Sequence, residues 1–89
     1  MAKMVVTHNV ADVDNWLKGK AERADIVTAM GCSNVVDHVA QDGSNAIAVT
    51  ADVGDLAAVL AALGSPSPET AAAMERHGVM PPLTVYIEK

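Results

Sequence analysis

The feature that most constrains this fold is a pair of β-rich runs in the middle of the chain, separated by an Asp-Gly turn. Residues 33–40 read SNVVDHVA and residues 45–53 read NAIAVTADV, with Asp42 and Gly43 between them. Two such runs on either side of an Asp-Gly pair predict an antiparallel hairpin. The other elements of the fold must be arranged around this hairpin.

A strand and then a helix are predicted before the hairpin. Residues 3–10 form a short β-rich run, which predicts the first strand. From Asp12 the apolar residues recur at spacings of three and four, which predicts a helix that Asp12 caps and Gly31 ends. The apolar stripe of this helix comprises Val13, Trp16, Leu17, Ala21, Ala24 and Val27. On its outer face, Glu22 follows Lys18 by four residues and is expected to pair with it.

A second helical region and a last strand are predicted after the hairpin. Asp55 is a suitable cap for the first part of this region, and residues 65–68, Ser-Pro-Ser-Pro, divide it into two short pieces. Gly78 ends the second piece, and residues 83–89 then alternate as a strand. The order β-α-β-β-α-β predicts a ferredoxin-like α+β fold with an antiparallel sheet, in a single domain over residues 1–89.

Composition and charge argue against several classes of function. The net charge is −5, and no lysine or arginine lies between Arg23 and Arg76, which disfavours binding to nucleic acid or to an anionic membrane. The single cysteine, Cys32, cannot form an internal disulfide. The sequence contains neither a membrane span nor a signal peptide pattern, so a cytoplasmic protein is expected.

Both faces of the predicted sheet are apolar, which predicts a homodimer. On the third strand, one face carries Ile47, Val49, Ala51 and Val53, and the other carries Ala46, Ala48 and Thr50. One pair of helices can cover only one face of a sheet, and an exposed face is expected to be polar. A second copy of the chain, packed sheet against sheet, is the simplest way to cover the other face.

Two segments resemble a known superfamily. The first is V-x-H-x-V-x-D-x-D-x-W, made by Val6, His8, Val10, Asp12, Asp14 and Trp16. The second is SPETAAAMERHGVMPPLTVYIE, in which a short helix, Gly-Val and a proline pair lead into the last strand. With the hairpin between them, the whole chain resembles the dimeric α/β-barrel superfamily. That superfamily includes antibiotic-biosynthesis monooxygenase-like proteins, muconolactone isomerases, polyketide cyclases, haem-degrading monooxygenases and stress-responsive proteins.

The resemblance implies a dimeric α/β barrel, with a cleft between helices and sheet in each subunit that takes a small apolar molecule. His8 is the candidate catalytic residue, as a general base or hydrogen-bond donor, although a core histidine with one hydrogen bond is the alternative. His8 is predicted to lie on the first strand, and the sequence does not decide on which face of the sheet its side chain lies. Trp16, Asn9 and His77 are the candidate substrate-binding residues. Trp16 also fits a core anchor, and His77 fits a residue stabilised at a helix C-terminus.

Asn9 and His77 together resemble the functional asparagine and histidine of the haem-degrading members. Asp37 and His38 are adjacent on a strand and must face opposite ways, so they cannot form a dyad. No pair of histidines or cysteines has a recognised metal-ligand spacing, so neither a metal nor a cofactor is predicted.

Three functions stay open at the level of sequence. One is a cofactor-independent monooxygenase, isomerase or cyclase acting on an apolar or aromatic compound. Another is a non-catalytic ligand-binding or stress-associated dimer with the same cleft. The third is a regulatory module like the ACT domain, which shares the order of elements but carries a Pro-Gly turn that this chain lacks.

Overall fold

The computed structural model describes residues 2–89 and forms one antiparallel sheet with helices on one side. In chain order the elements are β1 (Ala2–Val10), α1 (Val13–Lys18), α2 (Lys20–Ala29), β2 (Cys32–Val39), β3 (Ala46–Val53), α3 (Leu56–Gly64), α4 (Pro68–Arg76) and β4 (Val79–Ile87). The strands are arranged in the order β2-β3-β1-β4, and every neighbouring pair is antiparallel. This is the predicted ferredoxin-like α+β fold, with each helical stretch divided in two.

The predicted helix boundaries rest on local hydrogen bonds. Side-chain oxygens of Asp12, Asp55 and Ser67 each accept a hydrogen bond from a backbone amide in the first turn of α1, α3 and α4 respectively. These bonds satisfy amides that have no partner within the helix. Gly31 and Gly78 follow the ends of α2 and α4 with φ of 95° and 73°, a region that favours glycine. Short-range sequence signals therefore fix these ends.

The prediction of one continuous helix before the hairpin is wrong, because the helix breaks at Gly19. The Gly19 amide donates to the carbonyl of Trp16 at 3.1 Å, which tightens the last turn of α1. The side of α1 and α2 that faces the sheet also differs from the predicted apolar stripe. Leu17 and Ala21 are exposed, whereas Arg23 is buried against the sheet. A charged side chain takes the inward place because buried partners compensate it, as described below.

The last strand begins at Val79, whereas the sequence predicted a start after residues 81–82. The β1–β4 register shifts between Thr7 and Asn9, and the proline pair lies opposite this shift. Prolines lack the amide that a central strand needs, but β4 is at the edge of the sheet, where they are tolerated. The shift leaves His8 without a partner residue on β4.

The sheet has one covered face and one open face. The buried residues of β1 and β3 on the covered face are Met4, Val6, Val10, Ile47, Val49, Ala51 and Val53. The side chains on the other side, here called the open face, are Lys3, Val5, Thr7, Asn9, Val36, His38, Ala46, Ala48, Thr50, Asp52, Met80, Thr84 and Tyr86. The strand alternation predicted from the sequence is thus confirmed for β1, β3 and β4.

Candidate functional site

A small cleft lies between the covered face of the sheet and the helices, with a volume of about 90 Å³. Most of its lining is aliphatic: Met4, Val6, Ile26, Val27, Met30, Val49, Leu63, Ala73, Met74 and Leu83. Four lining residues can form hydrogen bonds through their side chains: His8, Arg23, Thr70 and His77. An apolar cavity with a few polar groups is the usual form of a small-molecule site.

His8 extends from β1 in the alternation of the covered face and lines this cleft. Its Nδ1 lies 2.9 Å from the carbonyl oxygen of Asn9. A carbonyl oxygen can only accept, so Nδ1 carries the proton and donates, which leaves Nε2 of the neutral ring with a lone pair. Burial lowers the pKa of His8 below its ordinary value; the hydrogen bond to Asn9 acts in the opposite direction, and the charge of Arg23 lowers it further. The lowered pKa favours a neutral imidazole near pH 7, and its Nε2 is an acceptor with no partner among residues 2–89.

A buried ion pair lies beside this histidine. The Arg23 Nε and Nη2 atoms donate to the two carboxylate oxygens of Asp37, at 3.3 and 2.8 Å. The two side chains are only 10% and 4% exposed. Nη2 also donates to the carbonyl oxygen of Trp16 at 3.1 Å, and the guanidinium carbon lies 3.9 Å from the centroid of the indole ring. A paired and stacked guanidinium of this kind is held in one orientation.

His77 connects this ion pair to the surface. Its Nδ1 is 3.3 Å from Nη1 of Arg23, and because arginine can only donate, Nδ1 must accept. The ring proton therefore lies on Nε2, which donates to Oε1 of Glu22 at 2.9 Å. Oε2 of Glu22 accepts from Arg76 at 2.8 Å. The bond from Arg76, aided by that from His77, lowers the pKa of Glu22. The predicted pair of Glu22 with Lys18 is wrong, because these partners from α4 and its C-cap occupy both carboxylate oxygens.

Gly19 makes room for this arrangement. A Cβ atom at this position would lie 2.4 Å from Nε2 of His77. Ordinary carbon contacts are found at about 3.5 to 4 Å, so any side chain here would displace the imidazole. The residue at which the helix breaks is therefore also the residue that leaves space for the imidazole of His77.

Trp16 occupies the core beside the cleft. Its side chain is fully buried and packs with Val10, Ile47 and Val49. The guanidinium of Arg23 covers its ring, and Arg23 itself lines the cleft. The indole Nε1 is buried without a hydrogen-bond partner among residues 2–89. The core-anchor interpretation of Trp16 agrees with this placement.

Asn9 lies on the open face, whereas His77 lies on the covered side. Asn9 borders an open groove of about 530 Å³, together with His38, Ala46 and Met80 among others, and His8 lines this groove as well as the cleft. His38 Nε2 is 3.0 Å from the hydroxyl oxygen of Thr50 on the same face. The structure therefore brings His8 and His77 to one cleft and places Asn9 across the sheet. Asp37 and His38 face opposite ways, as predicted.

Sequence reasoning missed Arg23 and Asp37. A lone arginine on a predicted helix and a lone aspartate on a predicted strand are usually solvated, and their separation of 14 positions in the sequence gives no hint of contact. Only the packing of α2 on β2 reveals the pair. Within residues 2–89, no three histidine, cysteine, aspartate or glutamate side chains are grouped as metal ligands. In the same range, none of the helices has the length and hydrophobicity that a membrane span requires.

The chain matches no protein-family model and no curated protein sequence. Its fold is similar to several solved structures. A candidate antibiotic biosynthesis monooxygenase from Bordetella bronchiseptica has a TM-score of 0.76 at 14% identity, over 99% of this chain and 94% of that one. Another antibiotic biosynthesis monooxygenase has a TM-score of 0.69 at 14% identity, over 100% and 97% of the two chains.

A candidate antibiotic biosynthesis monooxygenase from Deinococcus radiodurans has a TM-score of 0.57 at 16% identity, over 97% of this chain and 90% of that one. At identities this low, structural similarity shows a shared fold and does not show a shared activity. The chain therefore has the ferredoxin-like fold of the antibiotic biosynthesis monooxygenase structures, as its resemblance to that superfamily predicted.

Proposed function

We propose that this protein is a homodimer that binds a small apolar or aromatic molecule in the helix-sheet cleft, with His8 as general base. The reaction would be of the cofactor-independent kind, an isomerisation, a cyclisation or a monooxygenation by O₂, in which one oxygen atom enters the product, the other leaves as water and the ring compound itself supplies the electrons. The observation that carries the proposal is the hydrogen bond from His8 Nδ1 to the Asn9 carbonyl, because it leaves Nε2 as a basic lone pair on a histidine that lines the apolar cleft.

The protonation state of His8 supports this role. A base must be unprotonated at working pH, and the lowered pKa of His8 keeps the imidazole neutral near pH 7. All three reaction types can begin by removal of a proton from a ring compound. In each case the proton would pass from the substrate to Nε2 of His8.

The lining of the cleft suits an apolar ligand of adaptable shape. A volume of about 90 Å³ is smaller than the roughly 150 Å³ of an engineered cavity that binds benzene. Met4, Met30 and Met74 line the cleft, and unbranched methionine side chains rearrange easily. A ring-sized ligand would enter by displacing these side chains.

The open face supports the homodimer. Its central residues carry no charged side chain, and Val36, Met80 and Tyr86 are between 46% and 57% exposed. Lys3 and Asp52 are opposite each other on β1 and β3, and their ion pair lies at one end of the face. An uncharged patch bordered by charge is the usual form of a protein interface.

The test uses a panel of one-ring and two-ring phenols and hydroquinones, with oxygen uptake and product formation as readouts. A His8→Ala variant should lose turnover of any compound that the wild type converts, while native mass spectrometry still reports a dimer. His38→Ala is the matched control, because His38 lines the open groove together with His8 but does not line the cleft. If the His8→Ala variant retained turnover, His8 would not be the general base.

A non-catalytic binding protein is the second candidate. Most polar atoms near the cleft already bond to one another, since Arg23, Asp37, His77 and Glu22 form one connected network. Such a cleft offers few groups for chemistry. Retention of a small molecule in native mass spectrometry, together with no conversion of that molecule, would favour a binding or ACT-like regulatory role.

A further inference from the structure

One N–H group of Arg23 has no hydrogen-bond partner in the part of the chain that the structure describes. A guanidinium has five N–H donors. Two point to Asp37, one to the carbonyl of Trp16 and one to Nδ1 of His77. The fifth, on Nη1, has no partner among residues 2–89. A buried donor of a charged group without a partner is costly, so a ligand atom that accepts from it gains an unusually strong bond.

The surroundings of this donor fix its position. Asp37 holds one edge of the guanidinium with two bonds, and Trp16 covers one of its faces. The Gly19 position allows His77 to approach and hold Nη1 from a third direction. Asp37 also balances the positive charge, so the donor needs no counterion from the ligand.

Resting on the proposed function, we infer that Arg23 Nη1 is the polar subsite of the cleft, and that it binds a neutral carbonyl-type oxygen on an otherwise apolar ring ligand. His8, Arg23 and His77 all line this cleft. Nε2 of His8 is a free acceptor, and His77 Nδ1 is already occupied by Arg23. Among these three side chains, Arg23 therefore supplies the free donor of the cleft, and His8 supplies the free acceptor.

A carbonyl fits this donor better than a carboxylate does. The pair of Arg23 with Asp37 has no net charge, and a second carboxylate in the cleft would lie close to Asp37 in an apolar setting. A carbonyl oxygen accepts the bond without adding charge. Arg23 would thus select ligands by one oxygen atom, while the aliphatic lining holds the ring.

The test compares two probes of the same shape, cyclohexanone and methylenecyclohexane, on the wild-type dimer. Binding is followed by the fluorescence of Trp16, the only tryptophan in the chain, which packs against Arg23. NMR of arginine labelled with nitrogen-15 in the side chain reports the Nη1 donor itself. Cyclohexanone should bind about tenfold more tightly and shift the Arg23 Nη signal, and methylenecyclohexane should bind without that shift.

Two results would overturn the inference in distinguishable ways. Equal affinity of both probes with an unmoved Arg23 signal refutes the Arg23 subsite and leaves the apolar cleft in place. Failure of both probes to bind removes the cleft of the proposed function, and the subsite with it. In an Arg23→Lys variant that still folds, the preference for cyclohexanone should fall toward unity while methylenecyclohexane binding persists, because an ammonium lacks the fixed planar donor.

Discussion

The two faces of the sheet contrast in where they place charge. The covered face buries a guanidinium, a carboxylate and an imidazole beneath the helices. The open face, with no element of this chain over it, presents small, aliphatic and hydroxyl side chains at its centre. From solvent exposure alone, charged side chains are expected on the open face and uncharged side chains on the covered face. The contrast fits buried charges that specify how the helices dock, and the uncharged centre of the open face supports the proposed dimer contact.

The largest effect is expected from the buried pair. Asp37→Asn leaves Arg23 buried without its counter-charge, which typically costs about 3–5 kcal/mol of the free energy of unfolding. Urea denaturation measures the loss. His38→Gln changes the next residue, which lies on the open face, and should leave the unfolding midpoint nearly unchanged. A loss under about 1 kcal/mol in Asp37→Asn would mean that the network is not what docks the helices.

The open face is tested by a charge at its centre. Ala48 lies opposite Thr7 on β1 and His38 on β2. In Ala48→Glu, two carboxylates would approach each other across the proposed dimer contact, and the dimer should dissociate at least a hundredfold more readily. Analytical ultracentrifugation measures this, with Ala21→Glu on the exposed side of α2 as control. A wild-type protein that sediments as a monomer at micromolar concentration would refute the contact.

The close approach of His77 to Gly19 is tested by a pair of glycine substitutions. Gly19→Ala forces His77 away from Glu22, and we expect a loss of about 1–3 kcal/mol in the free energy of unfolding. Gly64→Ala at the end of α3 meets no atom within 4 Å and should stabilise the protein by about 0.5–1 kcal/mol. Thermal denaturation distinguishes them. Stabilisation by both would contradict the packing described here.

The smallest effect concerns the protonation of His8. Its folded pKa lies below the ordinary 6.5, so the folded protein binds this proton less readily than the unfolded chain. The stability from neutral His8 is complete above pH 6.5 and is lost as pH falls from there through the lowered folded pKa. His8→Gln should therefore flatten part of the acid limb of the stability curve. An NMR titration midpoint for His8 at or above 6.5 would contradict this prediction, because the folded protein would then bind the proton at least as readily as the unfolded chain.

Much of the fold follows from local features of the sequence. The caps at Asp12, Asp55 and Ser67 and the glycines at positions 31 and 78 act through hydrogen bonds and backbone conformations within a few residues. The alternation along β3 likewise follows from strand geometry alone. The element order and the two faces of the sheet could therefore be predicted without any tertiary information.

The site could be predicted only in part. The pattern at the start of the chain identified His8 as the candidate base, and His8 lines both the helix-sheet cleft and the open groove, so its role stays a prediction. Sequence reasoning could not assign its tautomer, because that depends on the carbonyl of Asn9 at the register shift. It also expected Glu22 to pair within its own helix, whereas the partners lie 54 and 55 residues away.

The sequence by itself determined the order of the strands and helical regions, the capped ends of the helices and the two-sided hydrophobicity of the sheet, because these depend on neighbours along the chain. Only the tertiary structure decided that Arg23 faces inward, that Asp37 compensates it and that Gly19 admits His77. The physical reason is that a buried charge is stable only with a partner at hydrogen-bond distance. That partner is supplied by the packing of separate elements, which no local pattern encodes.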